Sequence, residues 1–426
     1  MNYTEALDYL YRQTPVFQRQ GAKAYKPGLE RIRRLCAYLG HPQEKFKSIH
    51  IAGTNGKGSS AHMLAAVLQM SGYRVGLHTS PHLHDFSERL RLDGIPAEPE
   101  WVVDFVSRHR TFLDELEGSF FEIVVGMAFQ YFAEKEVDWA VVEVGLGGRL
   151  DATNILRPEL CLITHIGFDH EAILGDTLPK IAREKAGIIK PGVPVVITER
   201  QAEVLPVFRE VAAARRAPLH LAPDALSLRP LQEGFDVLGW GKKLTVRPGL
   251  RGSYQQKNLR GVLMALRVLK NTGKAAISED AIQEGITHTV ALTGLYGRWQ
   301  RLAAAPLTIA DVAHNPSGIR EVLAALPVGF TQLRIVVAFS ADKSLESILP
   351  LFPPEARYFF TQYDAPRTLP ASALREKALL YGLHGEAYTS APRALQDAQT
   401  DAEPEGVVLV LGSLFLVSEL LQFERP

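Results

Sequence analysis

Ser48-Ile49-His50-Ile51-Ala52-Gly53-Thr54-Asn55-Gly56-Lys57-Gly58-Ser59-Ser60 contains one short apolar run, three glycines and a lysine within thirteen residues. Ile49 and Ile51 alternate with their neighbours as in a short buried strand. Gly53, Gly56 and Gly58 then let the backbone turn tightly around Lys57, and Ser59 begins a helical pattern. Residues without a Cβ allow successive N–H groups to face an anion, a helix N-terminus adds its dipole, and a lysine adds a full charge. The stretch therefore reads as a phosphate cradle between a strand and a helix, with Gly53, Thr54, Asn55, Gly56, Lys57, Gly58 and Ser59 as the contacts. It departs from the usual G-x-x-x-x-G-K-[ST] pattern, because Ile51 takes the place of the first glycine and Gly58 that of the final hydroxyl residue. A bare glycine-rich turn is the plainer alternative.

The flanking sequence repeats strand, loop and helix. Met63, Leu64, Val67 and Leu68 make a helical stripe ended by Gly72, and a strand from Tyr73 to Thr79 runs into Ser80-Pro81-His82. Helical spacing recurs at Trp101–Leu116 and Phe121–Glu136. The nearly continuous apolar runs Asp138–Val144, Leu160–His165 and Val193–Thr198 suit strands covered on both faces, hence a mostly parallel, doubly wound α/β sheet. Before the cradle, Tyr3–Leu39 reads as two helices interrupted by a polar, mobile loop at Gln18–Gly28. Leu221–Arg251 switches to short period-two segments, which predicts hairpins. Helices near Asn258–Leu269 and Glu279–Thr287 precede a glycine-rich linker at residues 294–297, which divides the chain into domains 1–293 and 298–426. The second is a smaller α/β domain, with strands at Leu307–Asp311, Arg334–Phe339, Tyr358–Thr361 and Val407–Leu411.

Composition narrows the function classes. With 47 Lys and Arg against 47 Asp and Glu among 426 residues, no net field favours nucleic acid or an anionic membrane, so an anionic ligand needs a local site. Two distant cysteines, Cys36 and Cys161, argue against a disulfide framework or a cysteine metal site. The N-terminal stretch has no signal-peptide core and no run is long enough for a membrane span, so a cytoplasmic location is expected.

In open α/β sheets ligands sit beyond the carboxyl ends of strands. Ser80, Glu143 and Asp169-His170 all fall at such ends. A carboxylate inside Trp139–Gly145 is costly unless paired or ligating, and beside a triphosphate its natural partner is Mg²⁺. The alternatives are that Glu143 pairs with Arg149 and that His170 is a structural hydrogen-bonder. In the helix read from Thr177 to Ile189, Lys185 shares the inward stripe of Leu178, Ile181 and Ala182, so either its amine faces the interior or its stem snorkels to water.

Six stretches together resemble the folylpolyglutamate synthase/dihydrofolate synthase branch of the Mur ligase superfamily. They are Gly53–Ser60, Thr79–Leu83, Ser87–Arg91, Glu143–Asn154, Asp169-His170 and Ile181–Gly192. Further along, Gln255 with Asn258, Gly297-Arg298, Asp311–Pro316 and Leu411–Leu420 match the same family, so the likeness covers nearly the whole chain. Tyr296 stands where the family usually has proline.

The resemblance implies a P-loop Mur-ligase-type domain plus a smaller Rossmann-like C-terminal domain, with the active site between them. It implies ATP and Mg²⁺, with two metal sites, and small-molecule substrates; a monomer is expected, and the charge balance predicts no nucleic-acid or membrane partner. Ser80, Glu143 and His170 would be metal ligands, with Lys185 joining them as a carbamate. Asn258, Arg298, Asp311 and His314 would contact nucleotide. Phe121, Glu122, Leu150, Asp151 and Ala152 would form the pterin side, and His314 and Ser413 would meet the incoming glutamate. The implied chemistry is attack of a substrate carboxylate on the γ-phosphate, aided by Lys57 and Arg298, then capture of the acyl phosphate by the amine of L-glutamate. Acceptors would be dihydropteroate, (tetrahydro)folate or both. Competing readings are a folylpolyglutamate synthase alone, another Mur-type amino-acid ligase, or a non-catalytic nucleotide-binding regulator, the last opposed by the presence of Lys57, Glu143, His170 and Lys185 together.

Overall fold

The computed structural model describes residues 1–13 and 27–423. The polar loop expected at Gln18–Gly28 falls, up to residue 26, outside the described residues. The chain forms two compact units, Met1–Leu250 with Gln255–Leu295, and Arg251–Tyr254 with Tyr296–Pro426. The four-residue segment Arg251–Tyr254 was not foreseen: four residues give no periodicity from which to assign them.

The first unit is built on strands β1 (Lys47–Ala52), β2 (Val75–His78), β3 (Leu90–Leu92), β4 (Ile95–Pro96), β5 (Trp139–Glu143), β6 (Leu160–Ile163), β7 (Val195–Ile197) and β8 (Leu219–Leu221). They lie in the order β4-β3-β2-β5-β1-β6-β7-β8. From β2 through β8 every pairing is parallel, and the short β3 and β4 add an antiparallel edge. Strands β2, β5 and β6 are buried at every position, which requires cover on both faces.

Alternation sorts β5 between two cores. Trp139 and Val141 join Ile49, Ile51 and the helix Lys57–Met70 on one face, whereas Ala140 and Val142 join the helices Pro99–Leu116 and Phe120–Glu134 on the other. Every residue from Ser59 to Leu68 is buried, so the helix that starts at the cradle is enclosed rather than lying at the surface. Gly285 allows the helix Glu279–Thr287 to approach it closely, since a Cβ there would sit 2.6 Å from Val67 Cα. The expected hairpins form a separate antiparallel sheet of β9 (Ser227–Pro230), β10 (Phe235–Leu238) and β11 (Thr245–Val246).

The second unit has its own sheet, with β12 (Gln300–Ala304), β13 (Leu307–Ala310), β14 (Leu333–Val337), β15 (Arg357–Phe360), β16 (Gly385–Ala387) and β17 (Val407–Leu411). Their order is β12-β13-β17-β14-β15-β16, parallel except for β12. Ile309, Ile335, Val337, Phe360, Leu409 and Leu411 supply its core. The α/β reading with mostly parallel sheets is borne out. Among the described residues no helix is long and apolar enough to cross a membrane.

Candidate active site

The cradle begins where β1 ends. A Cβ on Gly53 would fall 1.8 Å from Thr164 Oγ1, so only glycine lets this backbone pass the neighbouring strand's end. The Thr54 N–H donates to His165 O at 2.7 Å, and the Thr54 hydroxyl both donates to Gly167 O and accepts from Gly167 N at 3.0 Å. Gly56 then takes a left-handed conformation, φ +90°, as the residue before the helix Lys57–Met70. The helix therefore starts at Lys57, two residues earlier than expected, and Gly58 lies in its first turn rather than in the loop. No side chain caps this terminus. Its first N–H groups have no partner within the helix, the arrangement that suits an anion, and Lys57 stands beside them.

Lys57 Nζ donates to Thr54 O at 3.1 Å and stands 3.8 Å from Glu143 Oε1. Glu143 is 5% exposed, at the end of β5, and its Oε2 accepts from Ser80 N at 3.4 Å. Arg149, the other partner considered for Glu143, pairs with Glu184 at 2.9 Å. His170 occupies a left-handed position, φ 53°, with its Nε2 3.8 Å from Asp169 Oδ2. Among the described residues no three His, Cys, Asp or Glu side chains gather as a metal site. A Mg²⁺ bound through one or two carboxylates, phosphate oxygens and water does not need such a cluster. A buried carboxylate next to a hydroxyl residue and a phosphate cradle is a donor set that fits it.

Lys185 is 4% exposed, near the end of the helix Leu178–Ala186, and its Nζ donates to Gly53 O at 2.9 Å. The interior reading holds and the snorkelling one does not. The helix stops three residues short of the expected Ile189. Burial, with the neighbouring Lys57 charge, pulls its pKa down to about 7, partly opposed by Asp169 and Asp151.

Asn258 reaches the cradle from the helix Gln255–Asn271: a Cβ on Gly56 would lie 2.2 Å from Asn258 Oδ1. Its Nδ2 donates to Gln255 Oε1 at 2.8 Å, and Gln255 Nε2 donates to Ser59 Oγ at 3.1 Å. Gln255 thereby ties this helix to the first turn of the cradle helix. Phe121 packs where Gly145 leaves room, as a Cβ there would be 2.4 Å from its ring. Glu122 closes a capping box with Ser119 and takes Arg31 Nε on both oxygens at 3.0 Å, so its carboxylate organises the helix start. Asp151 accepts from Leu146 N and Thr153 N, at 2.8 and 3.0 Å, and from the Thr153 hydroxyl, which fixes the loop carrying Leu150 and Ala152.

The remaining candidates belong to the second unit. Asp311 is 3% exposed and accepts from Trp299 N at 2.8 Å, Ala313 N at 2.9 Å and the Tyr254 hydroxyl at 2.5 Å. His314 Nδ1 donates to Val312 O at 2.9 Å. Arg298 Nη1 donates to Gly297 O at 3.3 Å, and Ser413 Oγ accepts from Phe415 N at 3.1 Å. Sequence reading missed Tyr254 and Trp299 as partners of Asp311. The only available signal for Tyr254 was its place next to Gln255.

The chain matches the Mur ligase middle domain over residues 51–265 and the Mur ligase glutamate ligase domain over residues 297–414. It is 35% identical to the dihydrofolate synthase/folylpolyglutamate synthase of Bacillus subtilis, covering 93% of this chain and 94% of that one. It is 31% identical to the folylpolyglutamate synthase of Lacticaseibacillus casei, covering 99% and 98%. Among solved structures it superposes on E. coli FolC in complex with DHPP and ADP with a TM-score of 0.87, at 28% identity over 99% of this chain and 97% of that one. A Yersinia pestis bifunctional folylpolyglutamate synthase/dihydrofolate synthase complexed with AMPPNP and Mn ion gives 0.85, at 29% identity over 99% and 98%.

Proposed function

Since this chain belongs to the folylpolyglutamate synthase/dihydrofolate synthase family of Mur ligases and is an ATP-dependent ligase, we propose that it joins L-glutamate to both dihydropteroate and reduced folates. The observation that carries the catalytic reading is the placing of Lys57 at the head of an uncapped helix, held by Thr54 O at 3.1 Å and facing Glu143 at 3.8 Å.

The helix N-terminus and Lys57 hold the β- and γ-phosphates of ATP. A carboxylate oxygen of the acceptor attacks the γ-phosphorus while the bond to ADP breaks, leaving an acyl phosphate. The amine of glutamate then attacks the acyl carbon, phosphate departs, and the amine loses a proton to give the amide. Mg²⁺, held by Glu143, Ser80 and His170, would neutralise charge on the transferring phosphate. Lys57 and Arg298 oppose the same charge, while Asn258, Asp311 and His314 contact the nucleotide. Phe121 and the Leu150–Ala152 loop flank the pterin, and Ser413 and His314 receive glutamate. The Lys185 amine, in its unprotonated form, adds to CO₂ with loss of a proton to give a carbamate, which replaces an ammonium at the cradle with an oxygen donor.

The reading is tested by ADP release in the presence of ATP, Mg²⁺ and glutamate with either dihydropteroate or tetrahydrofolate. Turnover with both is expected. ADP release with tetrahydrofolate alone reduces the protein to a polyglutamate synthase, and none with either acceptor overturns the substrate assignment.

A further inference from the structure

Three hydroxyl groups meet at the carboxyl ends of adjacent strands in the second unit's sheet. Ser340 follows β14, Tyr363 follows β15 and Ser413 follows β17. The Tyr363 hydroxyl lies 2.6 Å from Ser340 Oγ and is also hydrogen-bonded to the Ser413 side chain, while its ring stacks on Phe415 at 5.4 Å. Gly412 makes this approach possible: it adopts φ +108°, and a Cβ there would fall 2.4 Å from Ala338 O. The loop after Tyr363 is held in place, since Tyr363 N donates to Thr368 Oγ1 at 3.2 Å, Ala341 N to Arg367 O at 2.8 Å and Leu369 N to Phe339 O at 2.9 Å. Arg367 and Asp342, whose charges act on the phenol with opposite signs, pair with each other.

The protons of this chain can be counted. Burial holds the Tyr363 pKa above its ordinary value, so the phenol keeps its one proton at neutral pH. It therefore donates to one serine and accepts from the other. Ser413 Oγ already accepts from Phe415 N at 3.1 Å. Once it takes the phenol proton as well, both of its lone pairs are filled and its own O–H is left to donate outward. The protons then run in one direction, from Ser340 through Tyr363 to Ser413. A carboxylate, which only accepts, selects that direction, and a hydrogen-bonded chain ending on an anion is stronger than its neutral parts.

Ser413 also stands beside the other residue assigned to glutamate, because Gly412 N donates at 2.9 Å to the carbonyl of Ala313, the residue before His314. We propose that Tyr363 is a positioning residue for the incoming glutamate, turning the Ser413 O–H toward a carboxylate of that amino acid. This deepens the ligase reading above and rests on it.

Steady-state ADP release by Tyr363→Phe, Ser413→Ala and the double variant, beside wild type, tests it. Phenylalanine keeps the ring against Phe415 and removes only the hydroxyl. Tyr363→Phe should raise the glutamate KM at least about fivefold, with the KM values for ATP and acceptor held within about twofold. Ser413→Ala should raise the glutamate KM at least as much, and the double variant should be no worse than Ser413→Ala, because the tyrosine acts through the serine. Glutamate-dependent turnover by wild type establishes the ligase reading first, and its absence sinks that reading and the proposal together. With a working wild type, an unchanged glutamate KM in either single variant overturns the proposal alone, as do additive effects in the double variant. A rise in the ATP KM in place of the glutamate KM assigns the hydroxyl chain to phosphate and also overturns it. So does a parallel rise of all three KM values with a lower melting temperature, the mark of a structural role. If Tyr363→Phe does not fold, Ser340→Ala, which removes the far end of the chain, decides: a glutamate KM raised at least about threefold supports the proposal and an unchanged one overturns it.

Discussion

Lys57 and Lys185 are two lysines around one loop in opposite settings. Lys57 is partly open, hydrogen-bonded to Thr54 O and opposite a carboxylate. Lys185 is enclosed, with a neighbouring cation and, among the described residues, the Gly53 carbonyl at 2.9 Å as its hydrogen-bond acceptor. If it serves as a carbamate, Lys185→Ala should reduce turnover about a hundredfold, and millimolar acetate or formate should restore part of it by returning an anionic oxygen to the same space. Full activity in Lys185→Ala, or no rescue by any small carboxylate, would make Lys185 a packing residue.

At the scale of elements, β1 and β2 each bring a fully buried histidine beside Val142 of β5, His50 on one side and His78 on the other. Among the described residues His50 Nδ1 and His78 Nε2 have no hydrogen-bond partner, so a proton added there finds no acceptor. Burial depresses their pKa values to about 3 and about 4. An unfolded histidine titrates near pH 6.5. Below that the unfolded chain gains protons that the native sheet refuses, so stability is complete above pH 6.5 and declines as pH falls, by about 1.4 kcal/mol per pH unit for each histidine. The melting temperature of the first unit should drop between pH 7 and pH 5, and His50→Gln with His78→Gln should flatten that dependence. Equal pH profiles for wild type and the double variant would show that the histidines do not set it.

These elements also show what the sequence could convey. Strands β5 and β6 were legible because burial on both faces writes a continuous apolar run, and the cradle because its glycines answer backbone needs. The start of its helix was read late, since Gly58 looks like part of a loop although it sits in the first turn. Strands β3, β4, β8, β12 and β16 carry two to five residues each, too few for periodicity to register. Among site residues, Glu143 and Lys185 stood out as charges in apolar company.

The whole molecule is divided in a way the chain order conceals. Tyr254 belongs to the second unit, where its hydroxyl donates to the buried Asp311 and its ring meets Trp299 edge-on at 6.5 Å. A hydrogen bond to a charged, buried acceptor contributes about 1.5–3 kcal/mol. Tyr254→Phe should therefore lower the unfolding midpoint of the second unit while leaving that of the first unchanged, as read by urea titration of Trp299 fluorescence against a first-unit probe. A shift confined to the first unit would contradict the assignment.

Heredity meets the same division. Because Arg251–Tyr254 precedes the helix Gln255–Asn271 and yet completes the other unit, the second unit is not one uninterrupted piece of gene. Recombination at the glycine-rich linker alone would pair an incoming Asp311 with the host's Tyr254. Relatives can exchange that half freely only where both parents agree at this short segment, or where a second crossover carries it along.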